Sequence, residues 1–192
     1  MSIRACLDAP CNHLRVTQST LPERLRQAIP MVAGIGNMWA VFQEPQLFND
    51  VVEALADPFS QSGVTKVAGI EARGFVLGAA VAHRLGAGFV GIRKPGGLYP
   101  GPAYERRTPP DYRGNEFVLR LQKAAIGSDD RVALVDDWFE TGGQAGAAIE
   151  LIGETGADYA GASIVVDWLQ PEMRHRLAPL HSIVGIESLP SN

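Results

Sequence analysis

The sequence predicts an α/β fold, with a mainly parallel, doubly wound sheet and helices on both of its faces. One observation predicts this fold class, and a second predicts the number of domains. From Val64 onward, apolar runs of strand length alternate with helical segments, which is the pattern of parallel sheets. The chain has 192 residues, mixed charge and no internal repeat, so we expect one domain, residues 1–192.

The N-terminal part is predicted to be mostly helical. Residues 21–28 form one predicted helix, and apolar residues at helical spacing predict a second over residues 45–55, with an irregular turn at residues 34–37 between them. Cys6 and Cys11 are expected to be free thiols, because two cysteines complete no usual zinc site.

A strand, a loop, a helix and a second strand follow. The strands are predicted over residues 67–70 and 89–92, and the helix over residues 75–85. The glycines from Gly86 to Gly91 spell a dinucleotide-binding fingerprint, but that motif must follow a strand and open a helix. Here the order is reversed, so Gly86 is predicted only to end the helix.

Residues 99–114 are predicted to form a long polar loop. The segment is rich in proline and charge, and such a long loop within a compact domain is typical of a lid or a binding loop.

Residues 132–144 are the most informative segment. An apolar strand is predicted to end in Asp136 and Asp137, and the loop Thr141-Gly142-Gly143 precedes a helix that begins near Ala145. Free amides at a helix N-terminus can bind a phosphate, and glycines let them approach it closely. The two carboxylates can accept hydrogen bonds from ribose hydroxyls and hold magnesium, directly or through water. Together they predict a site for a 5-phosphorylated ribose.

Strands over residues 160–167 and 183–188 complete the predicted sheet. Glu71, Arg93 and Asp136 would each follow or end a strand of this sheet. Parallel sheets bind ligands beyond the carboxyl ends of their strands, so we expect these three segments to meet at one site.

The segment from Val132 to Gln144 resembles the signature of the type I phosphoribosyltransferases. Gly-Ile-Glu-Ala-Arg-Gly-Phe at residues 69–75 and Ile-Arg-Lys-Pro-Gly-Gly-Leu at residues 92–98 resemble motifs of the adenine phosphoribosyltransferases. The resemblance covers roughly residues 64–166. It departs from the family at Glu140, where a small residue is usual, and at the bulky pair Trp138-Phe139.

The resemblance implies a magnesium-dependent transfer of phosphoribose from phosphoribosyl pyrophosphate to a nucleobase, favouring adenine, with release of pyrophosphate. Asp136 and Asp137 would orient the ribose and its metal, and Asp111 would accept a proton from the base, with Glu105 as the alternative. The substrate-binding residues would be Glu71, Ala72, Arg73, Gly74, Arg93, Lys94, Glu140, Thr141, Gly142, Gly143 and Gln144. Arg93 and Lys94 are adjacent in a strand, so at most one of them should face the ligand.

The family also implies a hood over the nucleobase, formed here from residues 1–60, and a homodimer. Trp39 or Phe42 could stack on a purine or belong to the core. Two alternatives stay open: another acceptor base, or a module that senses phosphoribosyl pyrophosphate without turnover. The net charge of −4 and the lack of a signal-peptide core predict a cytoplasmic protein without a nucleic-acid or membrane partner.

Overall fold

Five parallel strands form the central sheet. Their spatial order is Gly88–Ile92 (β4), Lys66–Ile70 (β3), Arg131–Phe139 (β7), Asp158–Asp167 (β8) and Leu180–Gly185 (β9). In this computed structural model, the described residues are 19–32, 35–96, 99–111 and 114–185. Cys6, Cys11, Leu98, Tyr112 and Arg113 lie outside them. The strands are β1 Met31–Val32, β2 Ile35–Gly36, β3 Lys66–Ile70, β4 Gly88–Ile92, β5 Ala103–Arg107, β6 Val118–Gln122, β7 Arg131–Phe139, β8 Asp158–Asp167 and β9 Leu180–Gly185.

Helices cover both faces of the sheet, which confirms the predicted fold class. They are α1 Leu21–Ala28, α2 Trp39–Gln43, α3 Pro45–Ala56, α4 Arg73–Leu85, α5 Gly143–Glu154 and α6 Pro171–Arg176, with a 3₁₀ turn at Asp57–Phe59. Side chains of a strand alternate between its faces. Val135 therefore packs with α1, α3 and α4, while Leu134 packs with α5 and β6 on the opposite face. None of the helices in the described ranges is long and apolar enough to span a membrane.

Most predicted elements are confirmed within two or three residues of their expected ends. Gly86 ends α4 in the left-handed conformation, with φ of 68°, so the fingerprint glycines mark a helix end as predicted. The final strand begins earlier than expected, at Leu180, and residues 186–188 lie outside the described ranges.

Three sequence predictions are wrong in detail. Residues 99–114 are not one loop, because β5 pairs antiparallel with β6, which extends the sheet edge beside the end of β4 through the Arg93–Arg120 bridge. Within the expected turn at residues 34–37, Ile35 and Gly36 instead form β2, which pairs antiparallel with β1, and Asn37 follows it; Gly34 lies outside the described residues. β7 does not end at the carboxylates, since pairing with β8 carries it on to Phe139.

Candidate active site

The predicted site residues meet in a cavity of about 280 Å³ beyond the carboxyl ends of β3 and β7. All of them line it except Gly74 and Arg93. Those that line it are Glu71, Ala72, Arg73, Lys94, Asp111, Asp136, Asp137, Glu140, Thr141, Gly142, Gly143 and Gln144. The volume is close to the lower end of the usual range for small-molecule sites, about 300 Å³.

Asp136 and Asp137 are buried at the floor of the cavity. The Asp137 amide donates to Asp136 Oδ1 at 2.9 Å, and Arg73 Nε lies 3.0 Å from Asp137 Oδ2. This oxygen accepts no hydrogen bond of normal geometry from the described residues, so its contact with Arg73 is an ion pair. Burial raises the pKa of Asp136 well above that of an ordinary aspartate, and the charge of Asp137 raises the pKa further.

Gly74 does not line the cavity, but it fixes the distance between α4 and the carboxylates. A Cβ atom on Gly74 would lie 2.9 Å from Asp136 Oδ1, and one on Gly69 would lie 2.1 Å from the Gly74 carbonyl oxygen. The backbone of residues 69–74 is therefore packed directly against β7. The Glu71–Ala72 peptide bond in this segment is cis.

Glu71 and Arg93 form an ion pair beside the cavity. Arg93 donates from Nη2 to Glu71 Oε1 at 3.1 Å and from Nε to Oε2 at 3.2 Å, and the Lys94 amide donates to Oε2 at 3.0 Å. The Arg93 guanidinium lowers the pKa of Glu71, because it stabilises the charged carboxylate. Arg93 thus holds Glu71, while Lys94 lines the cavity. This is the division expected from strand alternation.

Residues 140–143, the segment that the sequence predicts to bind phosphate and that is called here the phosphate loop, connect β7 to α5. Gly142 has φ of 77°, a left-handed conformation that side chains rarely adopt, and α5 begins at Gly143, two residues before the predicted position. Within the loop, the Gly143 amide points toward Thr141 Oγ1 at 3.4 Å. The turn places the first amides of α5 at the cavity, where a helix N-terminus favours an anion.

Asp111 and Glu105 occupy different surroundings. Asp111 lines the cavity, and its carboxylate accepts hydrogen bonds from the Asn115 amide at 2.8 Å and from Asn115 Nδ2 at 3.3 Å. Glu105 instead pairs across β5 and β6 with Arg120 Nε at 2.9 Å, outside the cavity lining formed by the described residues. Only Asp111 is therefore placed to meet a ligand here.

Six residues of the cavity lining were not predicted as site residues: Gly36, Ile70, Trp138, Phe139, Ala145 and Trp168. Trp138, noted in the sequence only for its size, and Trp168 form the aromatic wall of the cavity. The ring centroids of Trp138 and Trp168 lie 6.1 Å apart, with 57° between the ring planes. Trp168 directly follows β8, so the rule that ligands bind beyond strand ends could have identified it. Trp39 and Phe42 pack edge to face, with their ring centroids 5.5 Å apart, and lie outside the described cavity lining.

No protein-family model matches the chain. Comparison with known proteins nevertheless finds similar sequences, and the two described here are both adenine phosphoribosyltransferases. The adenine phosphoribosyltransferase of Jannaschia sp. (strain CCS1) is 39% identical over 155 residues, which cover 78% of this chain and 84% of the relative. That of Streptomyces clavuligerus is 41% identical over 146 residues, covering 76% and 79%.

Solved structures show the same likeness. The crystal structure of adenine phosphoribosyltransferase from Rhodothermus marinus matches with a TM-score of 0.78 and 34% identity, covering 86% of this chain and 98% of that one. The Saccharomyces cerevisiae protein, solved with an imino-altritol bisphosphate and adenine, matches with a TM-score of 0.74 and 29% identity, covering 85% and 98%.

Proposed function

The chain belongs to the adenine phosphoribosyltransferase family, and from this premise we propose that it transfers phosphoribose from phosphoribosyl pyrophosphate to adenine. The reaction breaks the bond between the anomeric carbon and pyrophosphate and forms a bond from that carbon to a nitrogen of the base, which loses a proton. One observation carries the proposal. A buried carboxylate pair, a phosphate loop and two cationic side chains, Arg73 and Lys94, surround a single cavity.

The charges of the cavity suit the charges that develop in this reaction. Cleavage of the anomeric bond builds positive charge on the ribose, which the carboxylates of Asp136 and Asp137 stabilise. Negative charge builds on the departing pyrophosphate, which Arg73 and Lys94 stabilise. The phosphate loop holds the 5-phosphate with its amides. In this assignment Arg93, which lies outside the cavity lining formed by the described residues, acts by holding Glu71 at the cavity rather than by binding the pyrophosphate itself.

Magnesium fits this donor set as a substrate-bound ion. The described residues contain no cluster of three acidic, histidine or cysteine ligands, and magnesium commonly binds one or two carboxylates together with phosphates and waters. The oxygen Asp137 Oδ2, buried and without a normal hydrogen bond among the described residues, is a suitable acceptor for such an ion or its water. Asp136 and Asp137 would hold the metal, which would supply charge neutralisation on the diphosphate.

The aromatic wall formed by Trp138 and Trp168 is our candidate for the nucleobase site. Trp168 is 39% exposed and offers a flat apolar surface next to the ribose carboxylates. Flat aromatic surfaces stack on bases, and a bicyclic purine covers more of them than a pyrimidine. We assign the base to this wall rather than to Trp39 or Phe42.

The remaining proposals concern organisation. We propose a single catalytic domain over residues 1–192, because α1 and α3 of the hood share a hydrophobic core with α4 and β7. A cytoplasmic homodimer without a nucleic-acid or membrane partner follows from the family resemblance and from the net charge of −4.

Pyrophosphate release from phosphoribosyl pyrophosphate and magnesium tests the function. We expect release with adenine, weaker release with guanine, hypoxanthine or xanthine, and none above background with uracil or orotate, because the aromatic wall favours bicyclic bases. Preference for a pyrimidine would contradict the assigned wall. Binding of phosphoribosyl pyrophosphate without release for any base would favour the sensing module instead.

We expect Asp111→Asn to lower kcat by at least about tenfold, since general bases contribute about 10²-fold or more. The Asn side chain keeps the size of Asp111 but cannot accept the proton from the base. The dissociation constant for phosphoribosyl pyrophosphate should change little, because this assignment gives Asp111 the proton of the base and no contact with the phosphates.

Glu105→Gln is the matched control for this variant. It removes an equivalent charge from the neighbouring strand, and its kcat should equal that of the wild type. Unchanged kcat in Asp111→Asn would show that Asp111 serves only the turn with Asn115.

A further inference from the structure

The segment that follows β8 is tied to the end of the sheet by Asp167, which is buried. Asp167 Oδ1 accepts a hydrogen bond from the Leu169 amide at 2.9 Å, and Oδ2 pairs with Arg174 of α6. The Trp168 amide also donates to the Phe139 carbonyl at 2.8 Å. The ion pair of Arg174 therefore ties α6 to the end of β8, and the segment before α6 is tied to the ends of β7 and β8.

This anchored segment packs against the phosphate loop. A Cβ atom on Gly142 would lie 2.4 Å from Met173 Cγ and 2.9 Å from Leu169 Cδ2. Met173 and Leu169 thus lie directly on the backbone of Gly142, and neither belongs to the described lining of the cavity that contains the carboxylates. Because these contacts are to backbone, they constrain the direction of the loop amides.

Packing around this side of the loop is incomplete among the described residues. A second cavity of about 280 Å³ lies behind it, and Gly142, Gly143 and Met173 contribute to its lining. Pro109 approaches Gly143, with its Cδ atom 3.3 Å from the position of a Cβ atom. A loop bordered by empty space can shift when one of its few contacts is lost.

We propose that Arg174 and Asp167 are positioning residues for phosphate binding, acting through Met173 on the phosphate loop. This inference rests on the proposed function, because it assumes that the loop binds the 5-phosphate. Neither Arg174 nor Asp167 belongs to the cavity lining formed by the described residues. Loss of either side chain should weaken binding of the 5-phosphate end of the substrate and leave binding of the pyrophosphate end unchanged.

Isothermal titration calorimetry with two separate probes, ribose 5-phosphate and pyrophosphate, each with magnesium, tests this proposal. In Arg174→Ala we expect the dissociation constant for ribose 5-phosphate to rise about tenfold, since displacement of binding groups by about 1 Å can cost up to 10²-fold. The constant for pyrophosphate should stay within error. KM for phosphoribosyl pyrophosphate should rise more than kcat falls.

His175→Ala provides the matched control, because His175 is exposed on the same helix and lies outside both cavity linings formed by the described residues. It should bind both probes as the wild type does. Arg174→Lys should recover part of the lost affinity, since lysine keeps the charge that pairs with Asp167. Met173→Ala should reproduce the selective loss if Arg174→Ala does not fold.

Three results would overturn the proposal. Unchanged ribose 5-phosphate binding in both Arg174→Ala and Met173→Ala would show that α6 does not position the loop. An equal loss for both probes would show general damage rather than positioning. Wild-type protein that binds neither probe would overturn the proposed function, and this inference with it.

Discussion

Replacing Asp136 and Asp137 together with Asn will reduce magnesium-dependent turnover by at least about 10³-fold, the scale of losing a main electrostatic contact to a transition state. Asparagine keeps the size of aspartate but carries no charge. It therefore cannot balance the positive charge that develops on the ribose, and it is a poor ligand for magnesium. The ion pair between Asp137 and Arg73 is lost as well.

The fold should tolerate this change at position 136. In the folded protein without bound ligand, burial raises the pKa of Asp136, so the negative charge that the proposed reaction uses costs stability there. The stability that this group contributes is present at low pH and is lost as the pH rises through the folded-state pKa. Asparagine resembles the protonated form, so Asp136→Asn should not lower the melting temperature at neutral pH.

Pyrophosphate release and thermal unfolding, measured on the same samples, separate catalysis from folding. Asp129→Asn is the matched control, because Asp129 is exposed and distant from the cavity lining, and it should match the wild type in both measurements. Full turnover in the double variant would remove the central assignment of this site.

The second large effect is expected from Gly69→Ala, which should lower the free energy of unfolding by about 2 kcal/mol or more, within the range of overpacked sites. The new methyl group would lie 2.1 Å from the Gly74 carbonyl oxygen, far inside contact distance. The obstacle is backbone, so no rotamer change relieves it. Residues 71–74 would move, and with them the Arg73 contact to Asp137.

Urea unfolding measures the free energy of unfolding of Gly69→Ala and of a comparison variant, Gly153→Ala. The two substitutions should change it in opposite directions. Gly153 is an exposed helical glycine of α5, and a Cβ atom there meets nothing within 4 Å. Alanine at position 153 should raise the free energy of unfolding by about 0.5–1 kcal/mol, because glycine is unfavourable within helices. Equal stability of Gly69→Ala and the wild type would contradict the tight packing of residues 69–74.

The sequence predicts the elements of this fold well where a local pattern defines them. The apolar run before Asp136 and the glycines after Thr141 are enough to place β7 and α5. The extension of β7 could not be predicted, because it depends on pairing of Trp138 with Val166 and Phe139 with Asp167 in β8. Such pairs are distant in the chain and leave no periodic signal.

β5 was missed for a related reason. Its residues are mostly polar or charged, with intermediate or full exposure, which is also the composition of a loop. What stabilises it is the ladder with β6, including the cross-strand pair Glu105–Arg120. The Glu71–Arg93 pair was more accessible to prediction, since both residues follow the paired strand ends Ile70 and Ile92.

Gly36 of β2 packs against the indole ring of Trp138 of β7, so the N-terminal part of the protein meets the sheet at this point. A Cβ atom on Gly36 would lie 2.5 Å from Trp138 Cζ3, so the indole occupies the space that any side chain at position 36 would need. The size of the cavity at the proposed nucleobase site is thus set jointly by two residues far apart in the chain. A larger residue at position 36 would require the Trp138 indole to move or to be replaced by a smaller side chain, so substitutions at the two positions are coupled.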